Sequence, residues 1–196
     1  MSKEFAPLIV GVGGTTREGS STEKALRYAL KAAEQAGAET AIVHGTALQL
    51  PMYAPEKKER SEGARQLVSL LRRSHGVIIA TPGYHGSISG LVKNALDYVD
   101  DMRGDEDSYL DGRAVGCVVC AHGWQATGST LAALRSIIHA LRGWPTPLGV
   151  AINSSAEIFD DAGTCLDAAM EKQLILMVSQ VVEFARMKAM RRSRDS

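Results

Sequence analysis

Short, unbroken apolar runs alternate along this chain with longer stretches whose apolar residues recur every three or four positions. Leu8-Ile9-Val10-Gly11-Val12 stops at Gly13-Gly14, and its length and flanking glycines predict a buried strand. Ser20–Gly37 reads as a helix: Ser20 and Glu23 have capping-box spacing, Gly37 is a stop, and Leu26, Ala29, Leu30 and Ala33 share one face. Thr40–Val43 follows as a second strand. Residues 45–60 carry Pro51, Pro55 and the charged run Glu56–Arg60, which predicts a loop. Glu62–Arg73 is a second helix, with Leu67, Val68, Leu70 and Leu71 inward. Gly76–Ala80 is apolar without alternation, as suits a central parallel strand covered on both faces.

Gly90–Val99 reads as a helix, and Arg103–Gly112 as an acidic, exposed stretch. Ala114–Ala121 is the fourth strand. Gly128–Arg142 is a helix with Leu131, Leu134, Ile137, Ile138 and Leu141 in register. Leu148–Ile152 is the fifth strand, and Asp167–Met187 the last helix. These repeated βα units predict one domain over residues 1–190, with 191–196 a frayed, solvated basic tail. The architecture expected is a three-layer α/β sandwich around a five-stranded parallel sheet. Right-handed crossovers make 2-1-3-4-5 the natural strand order. Ligands in such sheets sit beyond the carboxyl ends of the strands beside the switch point. Attention therefore falls on the loops after Val12, Ala80 and Ala121.

Composition narrows the class. Lys plus Arg and Asp plus Glu number 22 each, so no net field draws nucleic acid or a membrane surface. The 45% hydrophobic content excludes a disordered chain. The three cysteines suit a reducing compartment better than a disulfide framework. Met1–Pro7 includes Lys3 and Glu4 and precedes too short an apolar run for a leader. No apolar stretch approaches the ~20 residues of a membrane span. A cytoplasmic location is expected.

The first loop, Gly13–Thr22, places three glycines, the hydroxyls of Thr15, Ser20, Ser21 and Thr22, and the cation of Arg17 at a helix start. Amides there favour an anion, and hydroxyls and a guanidinium suit phosphate oxygens. A glycine-rich turn with a good helix cap accounts for the same residues without a ligand. Neither the Gly-Lys-Ser/Thr of a P-loop nor a G-x-G-x-x-G dinucleotide spacing is present.

The second loop makes the reading specific. Thr81-Pro82-x-Tyr84-x-Gly86-Ser87-x-x-Gly90-x-x-Lys93-Asn94-x-x-Asp97 resembles the signature of the NADPH-dependent FMN reductase family. That family includes the flavin reductases of two-component monooxygenases and the quinone, azo and chromate reductases. Its phosphate loop, Gly-Ser-x-Arg-x-x-Ser, is matched by Gly14-Thr15-Thr16-Arg17-Glu18-Gly19-Ser20. The resemblance spans residue 8 to about 153. It implies a flavodoxin-like fold, FMN as cofactor, and NADPH or NADH as co-substrate. Thr15, Arg17 and Ser20, with Ser21 and Thr22 beside them, would hold the FMN phosphate. Pro82, Gly83, Tyr84 and the backbone of His85, Gly86 and Ser87 would flank the flavin ring, for which an aromatic supplies a flat surface. His122 and Gly123 of the third loop would meet its pyrimidine edge. Gly83 stands where the family usually has glutamate, His85 where it has asparagine, and Thr15 where it has serine. Trp124 either packs beneath the third loop or touches the cofactor.

Because the flavin carries the chemistry, no catalytic side chain is assigned. The resemblance implies hydride transfer from the nicotinamide, then onward transfer to free flavin for a partner monooxygenase or to a quinone. It also implies a homodimer or homotetramer through Gly90–Val99 and Ser129–Arg142. The alternatives are a flavodoxin-type electron carrier, which neutrality disfavours, and a flavin-binding interaction module on the same fold. Cys117 and Cys120 fall on opposite faces of a strand and are read as inert core residues. The five histidines show no paired ligand spacing, so no metal site is expected. There is no Gly-x-Ser-x-Gly elbow to make Ser87 a hydrolase nucleophile.

Overall fold

The computed structural model describes residues 5–195, with side chains through Arg191. Met1–Glu4, part of the leader reading, and Ser196 lie outside the described residues. The strands are β1 (Leu8–Gly13), β2 (Glu39–His44), β3 (Gly76–Tyr84), β4 (Ser87–Ile88), β5 (Ala114–Ala121), β6 (Trp144–Pro145) and β7 (Val150–Asn153). The helices are α1 (Ser21–Gln35), α2 (Glu62–Arg73), α3 (Gly90–Asp97), α4 (Trp124–Ala140) and α5 (Ala168–Asp195). Among the described residues the sheet order is β2-β1-β3-β5-β6, with β7 also on β5 and β4 paired to β3. The β1, β2, β3, β5, β6 and β7 pairings are parallel. This is the 2-1-3-4-5 order, its fifth place shared by two short segments.

Alternation along the strands divides the core into two layers. Val10, Val12, Val77, Ile79, Val115, Cys117 and Val119 pack toward α2, α3 and α4. Ile9, Ile78, Ala80, Val118, Cys120, Val150 and Ile152 pack toward α1 and α5. Each large aliphatic side chain so buried contributes about 1.5–3 kcal/mol. Cys117 and Cys120 sit in opposite layers, and burial pushes both thiols up to about 12.

Several boundaries differ from the sequence-based expectation, each for a local reason. β3 runs on through Thr81-Pro82-Gly83-Tyr84, because β5 accompanies it as far as Cys120 opposite Pro82 and β4 then pairs with Gly83 and Tyr84. β1 ends at Gly13 opposite Ala80, so Pro82 has a neighbour on one side only and its missing N–H is tolerated. α4 begins at Trp124, four residues before the expected start, with Gly123 as N-cap. The fifth strand is split into β6 and β7 around Thr146-Pro147-Leu148-Gly149, where Pro147 has no amide to give the ladder. α3 stops at Asp97 and tightens into a 3₁₀ turn, Tyr98–Met102. The stretch 103–112 is not wholly exposed: Leu110 is 1% accessible, and its amide donates to the Leu141 carbonyl at 3.0 Å. α5 carries residues 191–195 in helical backbone, beyond the expected end at Met187.

Candidate flavin site

Parallel pairing brings the strand ends to one edge. Gly13 lies opposite Ala80, Pro82 opposite Cys120, and Ala121 opposite Asn153. The chain leaves the sheet near each of these points, which places the three predicted loops side by side.

The first loop closes tightly on β3. The Gly14 amide donates to the Ala80 carbonyl at 3.0 Å. Gly13 has φ +148°, and a Cβ there would stand 1.9 Å from that same carbonyl oxygen, so only glycine permits this approach. The predicted cap forms: Ser20 Oγ accepts from the Glu23 amide at 3.3 Å. The Glu23 carboxylate, however, reaches one residue further back, to the Gly19 amide at 3.0 Å. It also accepts from Arg27 Nε at 2.9 Å and lies 3.4 Å from His44 Nδ1. Burial pushes the Glu23 carboxyl up, but the bonds from Arg27 and Gly19 outweigh it and hold the group below its ordinary range. The Thr15 hydroxyl turns to its own loop, donating to the Arg17 carbonyl at 3.1 Å. Arg17 is exposed and enters no ion pair among the described residues. The amides of Ser21 and Thr22 begin α1 and have no intrahelical acceptor.

The second loop is a hairpin. Tyr84 pairs with Ser87, and the two residues between them, His85 and Gly86, have φ of 52° and 84°. Positive φ at both central positions is the type I′ turn, which favours Asn-Gly and which histidine tolerates better than most residues. Thr81, fully buried, ties the hairpin's base: its Oγ1 accepts from the Ser89 amide at 3.1 Å and donates to the Pro82 carbonyl at 3.0 Å. Ser89 in turn caps α3, accepting from the Val92 amide at 3.2 Å.

The third loop is short, because α4 starts at once. The Gly123 amide donates to Asn153 Oδ1 at 3.0 Å, and His122 Nδ1 lies 3.1 Å from Ser154 Oγ. Trp124 does not pack beneath the loop; it is 65% exposed, as Tyr84 is 54% exposed.

Together these segments enclose a cleft of about 720 Å³. Thr15, Arg17, Ser20, Ser21 and Thr22 line one end; Pro82, Gly83, Tyr84, His85 and His122 line the rest. Gly86 and Gly123 line an adjoining hollow, and Ser87 lines neither, its carbonyl accepting from Thr130 Oγ1 at 3.4 Å. Sequence reasoning missed Cys120, Ala126 and Ser154 on the cleft wall. Ser154 follows the last residue of β7, the strand beside β5, so adjacency in the predicted sheet order was the one available signal.

A cleft of this size is within the range of small-molecule sites, roughly 300–1,000 Å³. A family model described as NADPH-dependent FMN reductase matches residues 7–157. The chain belongs to the NADPH-dependent FMN reductase family. Among curated relatives, an NADPH azoreductase of Bacillus sp. (strain OY1-2) is 33% identical over 92 residues, covering 46% of this chain and 49% of that one. An FMN-dependent NADPH-azoreductase of Staphylococcus haemolyticus (strain JCSC1435) is 32% identical over 110 residues, 55% of each chain. The chain thus spans about half the length of these relatives. Among solved structures, the FerB flavoenzyme NAD(P)H:(acceptor) oxidoreductase of Paracoccus denitrificans superposes with a TM-score of 0.72 at 23% identity, covering 93% of this chain and 98% of that one. That likeness shows the flavodoxin-like fold expected from the sequence.

Within this FMN reductase family the signature residues now divide by role. Thr81 ties the hairpin, and Asn94 pins the 45–60 loop through the Leu50 and Pro51 carbonyls and the Tyr53 amide. Lys93 and Asp97 pair with each other on α3. The departure at His85 is a matter of turn geometry, since it occupies the Asn position of an Asn-Gly turn. The departure at Gly83 is a matter of packing: a Cβ there would meet Ala121 Cβ and Thr130 Oγ1, each at 2.9 Å. Among the described residues, no group of His, Cys, Asp and Glu could hold a metal ion, and no helix is long and apolar enough to cross a membrane.

Proposed function

We propose that this chain is a cytoplasmic NAD(P)H-dependent FMN reductase that passes electrons on to a small organic acceptor. The observation that carries the reading is the division of one cleft. A donor set suited to a phosphate monoester lies at one end, and an exposed tyrosine, two histidines and a proline lie at the other. The family match and the azoreductase relatives support the acceptor class.

The residues fit FMN. Arg17, Ser21 and Thr22, with the free amides of α1's first turn, would hold its phosphate, and Ser20 fixes that turn by capping it. Thr15 would join once its hydroxyl leaves the Arg17 carbonyl. Pro82, Gly83, Tyr84, His85 and the Gly86-Ser87 backbone would border the ring, with His122 and Gly123 at its far edge. FMN, when bound, supplies the redox chemistry, accepting a hydride and giving its electrons to the acceptor. The protein orients the ring and keeps its edge among backbone and imidazole groups. No side chain of the cleft is placed as a general acid or base. A homodimer or homotetramer, and a flavin-dependent monooxygenase as recipient of reduced flavin, complete the proposal.

The test is anaerobic mixing of the FMN-loaded chain with NADPH and then with NADH. Rapid bleaching of the flavin, followed by recovery of colour on adding a quinone or azo dye, supports the reading. A flavin that stays oxidised with both nicotinamides contradicts it and leaves an electron carrier.

A further inference from the structure

Three contacts lace the third loop to the end of β7. The Ser154 amide donates to the Ala121 carbonyl at 3.0 Å, the Gly123 amide donates to Asn153 Oδ1 at 3.0 Å, and Ser154 Oγ lies 3.1 Å from His122 Nδ1. Asn153 Oδ1 also accepts from the Ser155 amide at 3.1 Å, so the carbonyl that takes the Gly123 amide is itself held in place. The Gly123 amide is thus engaged inside the protein and turned from any ligand. In Ala121-His122-Gly123 the imidazole is the one polar side chain, and it lines the cleft together with Ser154.

The contact with Ser154 decides what that imidazole offers. Among the described residues, Ser154 Oγ has no side-chain or backbone partner besides His122 Nδ1, and His122 Nε2 has none. The hydroxyl proton therefore has one acceptor, Nδ1 of the neutral ring, which places the ring's own proton on Nε2. When the ring is protonated, the same hydroxyl accepts from Nδ1, and Nε2 keeps its hydrogen. A hydroxyl can serve both states with the ring in one pose. The other titratable groups on the cleft wall are Arg17, Tyr84, His85 and Cys120; no Asp or Glu lines it, so no carboxylate there competes for the Nε2 hydrogen.

We propose that Ser154 is a positioning residue: its hydroxyl sets His122 so that the Nε2–H, in place of the Gly123 amide, is the third loop's donor to the pyrimidine edge of the flavin. The proposal rests on the FMN reductase reading. That edge grows more negative when a flavin is reduced, so a donor fixed there favours the reduced cofactor and raises its midpoint potential. Ser154 acts through His122 and has no contact of its own in this role.

The test reads the two-electron midpoint potential of the FMN-loaded chain, by slow reduction in equilibrium with a reference dye, which involves no turnover. His122→Leu should weaken the hold on reduced relative to oxidised FMN about tenfold, a fall of about 30 mV. Ser154→Ala should weaken it about fivefold, a fall of about 20 mV. Ser154→Thr, which keeps the hydroxyl, should return to within about twofold of the parent. Adding Ser154→Ala to His122→Leu should produce no further fall, because the ring through which it acts is gone. Nitrogen NMR at about pH 8, above the ordinary imidazole range, should find the parent's His122 ring protonated on Nε2. Equal potentials in the parent and His122→Leu, a Ser154→Ala effect that persists without the imidazole, or a proton on Nδ1 overturns the proposal while leaving FMN in the cleft. A parent chain that takes up no FMN overturns the cofactor reading itself, and the role of Ser154 with it.

Discussion

The two loops that frame the cleft reach their shapes by different means. In the hairpin after β3, signature side chains hold the backbone: Thr81 ties its base and the His85-Gly86 pair turns it. In the loop after β1, a backbone bond, Gly14 on Ala80, and the Glu23 carboxylate on the Gly19 amide hold the chain, while Arg17, Ser21 and Thr22 face the cleft. A family signature thus mixes two kinds of residue. Some shape the site from outside the cleft, and others line the cleft while contributing little to the fold.

That contrast can be broken at its strongest point by Gly13→Ala. The added Cβ strikes the Ala80 carbonyl, and the backbone is in the positive-φ region, so unfolding by urea should show a loss of about 3 kcal/mol or more. A loss under about 1 kcal/mol would mean that the first loop relaxes freely. Next comes Thr81→Val, which keeps the shape but strands the buried Ser89 amide. It should cost about 1–3 kcal/mol in stability. Flavin affinity should fall only as the hairpin loosens, and an affinity loss without a stability loss would place Thr81 among the contact residues.

The smallest effect concerns Glu23, which anchors Gly19. Its carboxyl is held below the ordinary value of 4.5, so its ionised form stabilises the fold above that pH. This contribution is lost as pH falls from 4.5 through the lower folded value. Glu23→Gln should flatten the stability profile in that acid window by less than about 1 kcal/mol, measured by thermal unfolding at stepped pH. An unaltered profile would remove Glu23 from the loop's support.

Much of the fold was legible in the sequence because periodicity reports burial. α2 falls where its amphipathic spacing put it, Glu62–Arg73, and β5 matches its apolar run, Ala114–Ala121. Thr81-Pro82-Gly83 has the composition of a loop, and only the neighbouring strands, β5 beside Thr81 and Pro82 and β4 beside Gly83, make it strand. α4's start was hidden because its N-cap, Gly123, offers no side chain to announce it, while Gly128 inside the helix looked like a boundary. Of the site, the three loops were readable from strand order and motif. Ser154 was not, since it arrives from β7 through adjacency in space. Trp124 left two placements open, because one residue in a short turn has no periodicity to choose between them.

The central claim is that Arg17 grips an anionic tail at the cleft's hydroxyl-rich end. The direct measurement is calorimetric titration of FMN and of riboflavin, which lacks the phosphate, into the parent chain and Arg17→Ala. The exposed arginine should be dispensable for stability. FMN affinity should fall by about 1.5–3 kcal/mol in the variant, with riboflavin binding unchanged. Equal FMN affinity in the two proteins, or an equal loss for riboflavin, would contradict the assignment.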